Sequence, residues 1–574
     1  MHILLLQLPV PASPALNTPL AAGYLKAYAA AQGLLDQVDI TILPSAIADG
    51  AGDAALIAAI VERQPTMLGL SLYTWNSERS LHIALQVKAR LPNVLVVGGG
   101  PELQHDNRWV LMHPGLDIGV IGEGEQTFAE LLRLLLINPR PAAEVLASIP
   151  GVVTRDGLGQ LHSGPDRVPL DDLAVIPSPY LAGYLEVAPT GMLMVEVSRW
   201  CPYTCSFCLY GRNRGPRLGN RYFSLERVLA ELAWGKARGI QRVHLVEANL
   251  NLVPLFWSLL CALVTLNADR QLTIYAELRG EHLTDNVVAA LDRANVRYVE
   301  VGLQTANPTA LQASRRRTDL AAWAEGTRRL YAHQIEVYLD VILGLPADDE
   351  AGIQTTLDFL EREALGPYDL FILQVLPGTP LRQQANTYAL RYQDRPPYYT
   401  LGHDRLAYAD LYRLRRQLKA GAGFDPDEVE GMPEPRPDAL NETGQPCATL
   451  IQRIVVNARE PLPAITQLAL HVDILLYDLS LLTPWLTAAL RHNPTTIFDI
   501  YLLVGRDPPA PATLVAWRDA LPYTPTYLDR VAVYSASNPD PPHCRVSPRL
   551  FLVAPWASPF DPDVYQGIAT LRWQ

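Results

Sequence analysis

The chain is poor in cysteine, with six in 574 residues. Cys261, Cys447 and Cys544 lie far apart, so no disulfide framework is in view. A cationic excess is also missing. The formal net charge is −12, which disfavours a general nucleic-acid binder, because such a protein needs a basic field. The most apolar long run, Leu252 to Leu266, is too short to span a bilayer. The opening Met1-His2-Ile3-Leu4-Leu5-Leu6 has neither the basic region nor the cleavage site of a signal peptide. The expectation is a cytoplasmic protein with no membrane partner. Apolar residues make up 49%, enough for several cores, and the length suggests three or four domains.

Half of the scarce cysteines are concentrated in one place. Cys201, Cys205 and Cys208 form a C-x3-C-x2-C loop directly after Met192 to Val197, which reads as a buried strand. Thiolates are soft ligands that select iron–sulfur clusters, zinc or Cu(I). Electron-transfer clusters usually take four cysteines; three leave one iron open to bind and reduce something. The competing readings are a chance grouping and half of a zinc site. Zinc would want a fourth Cys or His nearby, and none lies between Leu209 and Val243.

The motif Cys201-x3-Cys205-x2-Cys208, with Phe207 before the third cysteine, resembles the cluster loop of the radical S-adenosylmethionine (SAM) superfamily. The resemblance implies a 4Fe–4S cluster held by the three thiolates. Its open iron would bind the amino and carboxylate groups of SAM, and an electron would cleave SAM to a 5′-deoxyadenosyl radical.

Residues 1–145 alternate strands and helices, which implies a doubly wound, Rossmann- or flavodoxin-like parallel sheet covered on both faces. Ligands bind such sheets at the carboxyl ends of the strands, and the glycines fall there. Thr18-Pro19-Leu20-Ala21-Ala22-Gly23-Tyr24-Leu25, Gly69 to Asn76, Gly98-Gly99-Gly100-Pro101-Glu102 and Gly122-Glu123-Gly124-Glu125, in that order, resemble a cobalamin-binding domain. These words imply cofactor contacts from Gly98, Gly99, Gly100, Pro101, Glu102, Gly122, Glu123, Gly124 and Glu125. Many such domains carry Asp-x-His-x-x-Gly after the first strand, whose His ligates cobalt. Here Pro9 to Thr18 contains neither His nor Asp, so no histidine lower ligand is expected. Tyr73, Trp75 and Asn76 are candidates to line that face.

Residues 146–191 read as a linker, rich in Pro and Gly with one small hairpin. Residues 192–400 alternate again, with strands expected at Met192–Val197, Arg242–Val246, Thr273–Ala276, Tyr298–Gly302, Glu336–Ile342 and Leu370–Leu376. That count fits a partial (β/α)6 barrel, whose chemistry belongs at the carboxyl ends of its strands. By the family resemblance, the SAM contacts are Glu247, Glu277, Arg279, Glu300 and Gln304. Val375 and Leu376 are expected to meet adenine through backbone groups. Arg279 is the candidate bidentate partner of the SAM carboxylate. Two arginine groups, Arg212/Arg214/Arg217/Arg221 and Arg315-Arg316-Arg317, read as solvated loops or as docking sites for an anionic substrate or a reductase. Residues 401–574 match no motif and read as a small α/β accessory domain, with Tyr523, Tyr527, Tyr534, Trp556 and Trp573 as candidate pocket aromatics.

The layout resembles a cobalamin-dependent radical SAM enzyme, most nearly the DUF4080-type branch. The activity this implies is methylation of an unactivated carbon or phosphorus of a small molecule through methylcobalamin, with an electron donor such as flavodoxin or ferredoxin. The rivals are a cobalamin-assisted cyclisation, ring contraction or oxidation, and a non-catalytic cobalamin or iron–sulfur sensor. An RNA methylthiotransferase would carry cysteines before Cys201 and a basic tail, and this chain has neither.

Overall fold

The computed structural model describes residues 1–210, 221–435, 451–456, 461–505, 508–535, 545–554, 561–565 and 567–573. Arg212, Arg214, Arg217, Cys447, Cys544 and Trp556 lie outside the described residues.

The first sheet contains β1 (His2–Leu6), β2 (Asp39–Ile42), β3 (Met67–Ser71), β4 (Leu95–Gly99), β5 (Ile118–Val120), β6 (Val152–Arg155) and β7 (Leu161–Ser163). Their order is β2-β1-β3-β4-β5-β6-β7. The first five strands are parallel, in the flavodoxin-like 2-1-3-4-5 order, so the chain reverses direction across the sheet between β1 and β3. Ile3, Leu4, Leu5 and Leu6 are all buried because helices cover both faces. One core packs against Leu20–Ala31 and Gly124–Ile137; the other packs against Asp53–Glu62 and Ser77–Arg90. The hairpin expected in the linker is present but adds to this sheet, with β5 pairing antiparallel to β6. The first sheet therefore extends through residue 163.

The second sheet contains β8 (Met192–Glu196), β9 (Arg242–Val246), β10 (Thr273–Glu277), β11 (Val296–Glu300), β12 (Glu336–Leu343) and β13 (Tyr368–Ile372), parallel and in sequence order. Right-handed crossovers in sequence order place every helix on one face. The other face is then free to form a barrel lumen. Burial follows this division: Leu193 and Val195 of β8 lie in the core, while Met194 and Glu196 are only half-buried. A short hairpin, β14 (Arg391–Tyr392) with β15 (Thr400–Gly402), closes this region.

The third sheet contains β16 (Ile451–Val455), β17 (His471–Leu476), β18 (Ile497–Leu503), β19 (Arg549–Ala554) and β20 (Thr570–Trp573), all parallel. Its core packs around the helices Leu479–His492 and Pro511–Ala520. Buried polar contacts join the parts. Tyr398 donates to Glu102 at 2.5 Å and accepts from Trp109 at 2.8 Å. Asp53 accepts from the backbone N–H and hydroxyl of Thr495 at 2.9 and 2.6 Å.

Candidate active site: a glycine-lined cavity facing a three-cysteine loop

A cavity of about 660 Å3 opens at the carboxyl ends of β1, β3, β4 and β5. Gly98, Gly99, Gly100, Gly122 and Gly124 form part of its wall. A Cβ added at Gly99 or Gly122 would meet nothing within 4 Å, so these backbones border open space. Gly100 differs: its φ is +102° and an added Cβ would lie 2.6 Å from the Leu72 carbonyl oxygen. Here glycine is required by the turn itself.

The wall continues onto the second sheet through Met194, Glu196, Arg199, Tyr210 and Val246. One chamber therefore borders both the glycine turns and the segment that leads into the cysteines. Tyr73 and Trp75 line it as a stacked pair, with ring centroids 4.6 Å apart and planes 11° from parallel.

Several expected wall residues are used elsewhere. Asn76 is buried; its side chain accepts from Tyr73 N and donates to the carbonyls of Leu8 and Ser71. Glu102 is buried against Tyr398, and burial pushes its carboxyl up to about 7. Neither belongs to the cavity wall, and nor does Pro101. Glu123 also lies off the wall, bound to Arg221 at 2.5 and 3.0 Å.

The cysteine loop follows β8, as its position after an apolar run predicts. Cys205 is buried, and Cys201 and Cys208 are half-buried. Asn249 Nδ2 donates to Cys201 Sγ at 3.3 Å. Burial raises the Cys201 thiol, with the neighbouring Cys205 adding to the effect. Backbone bonds fix the loop: Ser206 N donates to Ser314 O at 2.8 Å, and Leu381 N to Ser206 O at 2.9 Å. Phe207 packs on the small cluster that includes Ala310, Leu345 and Leu381. This donor set of three thiols on one short loop suits an iron–sulfur cluster. The cavity, with two glycine backbones facing open space, suits a large flat ligand.

The strand ends carry an unusual density of acid. Glu247 follows β9, is 2% exposed, accepts from the Ser198 hydroxyl and is pushed by burial up to about 7. Glu277 ends β10 and is pushed up to about 8, first by burial and then by Glu300 and Glu247. Glu300 ends β11 and accepts from Tyr275 Oη at 2.6 Å. Asp340 on β12 is raised as well, by burial and by Glu300.

Arg279 lies against the cysteine loop, its guanidinium 4.2 Å from the centroid of the Tyr203 ring, and pairs with Glu281 at 2.9 Å. Gln304 has φ +66° and its buried amide oxygen has no partner among the described residues. The backbone of Val375 and Leu376 is engaged locally: Val375 N donates to Tyr398 O, and their carbonyls accept from Arg382 and Thr379.

Sequence reasoning missed the ions around the loop. Arg199 pairs with Glu125 at 2.7 Å and Glu196 at 3.1 Å. Arg316, one of three consecutive arginines, donates to the Gly302 carbonyl; burial lowers its pKa, and the nearby Cys205 opposes that shift. Arg315 and Arg317 are exposed. In the C-terminal part, Tyr534 is core, donating to Thr400 O and packing on Tyr399 and Tyr408, rather than capping a pocket. His471, Asp473 and Asp499 converge there, but Arg549 binds both oxygens of Asp499 at 2.6 Å, so the cluster is already neutralised as an ion network.

Comparison with known proteins bears on both halves. The family model described as the B12 binding domain matches residues 13–132, and that of the radical SAM superfamily matches residues 195–360. The chain is 31% identical over 412 residues to the cobalamin-dependent radical SAM methyltransferase TokK of Streptomyces tokunonensis, covering 66% of this chain and 57% of that protein. It is 28% identical over 383 residues to a 2-(S-pantetheinyl)-carbapenam-3-carboxylate methyltransferase of Streptantibioticus cattleyicolor, covering 63% and 54%. The chain thus spans a little over half the length of these relatives. Two solved structures share its fold. TsrM from Kitasatospora setae, with cobalamin and a [4Fe-4S] cluster bound, superposes with a TM-score of 0.55 at 17% identity, over 71% of this chain and 80% of that one. OxsB with aqua-cobalamin and S-adenosylmethionine gives 0.51 at 18%, over 75% and 63%.

Proposed function

We propose, on the premise that this chain belongs to the radical SAM superfamily and carries a B12 binding domain, that it is a cobalamin-dependent radical SAM methyltransferase acting on a small molecule. The observation that carries this reading is the shared chamber, whose wall runs from Gly99 and Gly122 to Glu196 and Arg199, two residues before Cys201.

In this reading Cys201, Cys205 and Cys208 hold a 4Fe–4S cluster, the glycine-lined cavity holds cobalamin, and SAM binds at the strand ends. When bound, the cluster supplies the electron that cleaves SAM, and the cobalt supplies a methyl carrier. The protein binds, orients and shields. Glu247, held by Ser198, and Asn249 offer acceptors for an amino group beside Cys201. Arg279 serves the SAM carboxylate only by sharing its guanidinium with Glu281. Burial and the neighbouring Glu300 and Glu247 push the Glu277 carboxyl up to about 8, and a cation in the lumen would lower it again. The Tyr73–Trp75 pair closes one side of the cavity with flat apolar surface and no imidazole. Hence a lower ligand to cobalt is not expected from histidine.

No helix among the described residues is long and apolar enough to cross a membrane. The acidic balance and the absence of a cysteine before Cys201 argue against an RNA substrate. A flavodoxin or ferredoxin is the proposed electron donor.

The test is incubation of the reduced, reconstituted protein with methyl-labelled SAM and extracts of candidate substrates. Methyl transfer moves label into a product and releases 5′-deoxyadenosine. Deoxyadenosine without label transfer would replace methylation by a cyclisation or oxidation, and no SAM cleavage at all would favour a sensor.

A further inference from the structure

The Gly-Glu-Gly-Glu turn after β5 does more than border the cavity. Its two carboxylates reach both ends of the cysteine segment. Glu125 binds Arg199, two residues before Cys201, at 2.7 Å. Glu123 takes Arg221 as a two-bond fork at 2.5 and 3.0 Å and lies 3.8 Å from Arg199. The arginines are tied to each other: Arg199 N donates to Arg221 O at 3.0 Å, and Arg221 Nη2 donates to Arg199 O at 3.2 Å. Glu196, at the end of β8, completes the group at 3.1 Å from Arg199. The domain before the linker therefore grips the strand of chain entering the cysteine loop and the strand leaving it.

These charges are largely out of water. Arg221 is 4% and Glu125 5% exposed, and the Arg199 side chain is 14% exposed. Buried ion pairs of this kind are weak sources of net stability, because desolvation offsets attraction; their best-attested use is to fix register. Four members of the surroundings also line the cavity: Tyr24, Glu125, Glu196 and Arg199 itself. Arg199 lies over the Tyr24 ring, 5.5 Å from its centroid. A ligand filling the cavity must pack on that wall and so bear on the guanidinium from which the Cys201 end hangs.

We propose that Arg199 is a positioning residue that couples occupancy of the glycine-lined cavity to the geometry of the three-cysteine loop. This rests on the reading that the cavity takes a corrin and the cysteines a cluster. By linkage the coupling is reciprocal: a loaded cluster changes corrin affinity, and corrin changes the cluster. Glu125 transmits the effect, and Arg221 holds the far end of the segment in place.

The experiment uses the full chain, reconstituted anaerobically, with R199Q, R199K and E125Q as variants. Hydroxocobalamin affinity is measured with and without the cluster, and the EPR signal of the reduced cluster with and without hydroxocobalamin. In the unaltered protein the cluster is expected to change the affinity about fivefold or more, and cobalamin to shift the EPR g-values. In R199Q and E125Q both effects should collapse to under about twofold, below the usual range of coupling, while iron content stays near the parent's. The thermal midpoint falls in R199Q, which leaves Glu125 buried without its partner, so coupling is read at a temperature where each variant is folded. R199K keeps the charge but loses the fork, and should recover part of the coupling. Unchanged coupling in folded R199Q and E125Q would overturn the inference and leave the proposed function standing. A parent protein that binds both groups with no coupling would do the same. If the parent takes up no corrinoid or no iron, the functional reading falls first and this inference with it.

Discussion

Replacing Gly99 by Leu should separate binding from folding. Gly99 ends β4, its φ is not left-handed, and an added Cβ meets nothing within 4 Å. The fold therefore tolerates the side chain. Loss of glycine's freedom in the unfolded chain should even stabilise by about 0.4–1 kcal/mol. Gly99 lines the cavity, so the new side chain takes space that the proposed corrin would fill. Forcing extra methylenes into a filled space costs about 1–3 kcal/mol, which weakens cobalamin binding by about 5- to 150-fold, since 1.4 kcal/mol is a factor of ten. Gly100→Ala, one residue on, should do the reverse. Its φ is +102° and the Cβ would approach the Leu72 carbonyl to 2.6 Å, so stability falls. Thermal melts of the ligand-free proteins and hydroxocobalamin titration read both arms. Unaltered affinity in folded Gly99→Leu would refute the assignment of this cavity to the corrin.

Three further predictions follow from the buried chemistry. Cys201→Ala, Cys205→Ala and Cys208→Ala should each lose the iron and all 5′-deoxyadenosine formation while still binding cobalamin; iron retained at parental level in any one of them would contradict the three-thiolate site. The raised carboxyls of Glu247 and Glu277, up to about 7 and 8, bind more protons folded than unfolded between pH 4.5 and those values. Stability of the ligand-free protein should therefore fall as pH rises through this window, by on the order of a few kcal/mol in all, and then level off. Glu277→Gln should flatten the slope between pH 5 and 8 in urea melts, and an equal slope would count against the burial of that carboxyl. Tyr398→Phe leaves the buried Glu102 carboxyl and the Trp109 N–H short of a partner, which should cost about 1–3 kcal/mol in denaturant unfolding; a neutral substitution would show that this inter-domain contact is made by water instead.

Much of this molecule can be read from sequence because its strands are of the parallel, doubly covered kind. Runs such as Ile3 to Leu6 are apolar on both faces, and each is followed by a helix with its own apolar stripe. The cysteine loop is equally legible, since three thiols in one loop have few other uses. Local patterns fail where contacts are long-range. The Val152–Arg155 and Leu161–Ser163 hairpin reads as a linker because nothing in it names its partner, β5. Thr570–Trp573 is an edge strand of only four residues, too short to show a pattern, and only its pairing with β19 reveals it. Asn76 and Glu102 follow words typical of ligand loops, yet their polar groups satisfy buried backbone and Tyr398. Arg199 and Glu125 meet across 74 positions of chain, a distance that no spacing rule spans.

The central claim is that one chain holds a corrin and an open-cornered cubane on either side of a single chamber. Iron and cobalt counted on anaerobically reconstituted protein, after excess cofactor is removed, test it most directly. About four irons and one cobalt per chain are the predicted result, with the cobalt reduced in Gly99→Leu and the iron lost in Cys205→Ala. Zinc in place of iron, or a full iron complement with no cobalt retained, would contradict it.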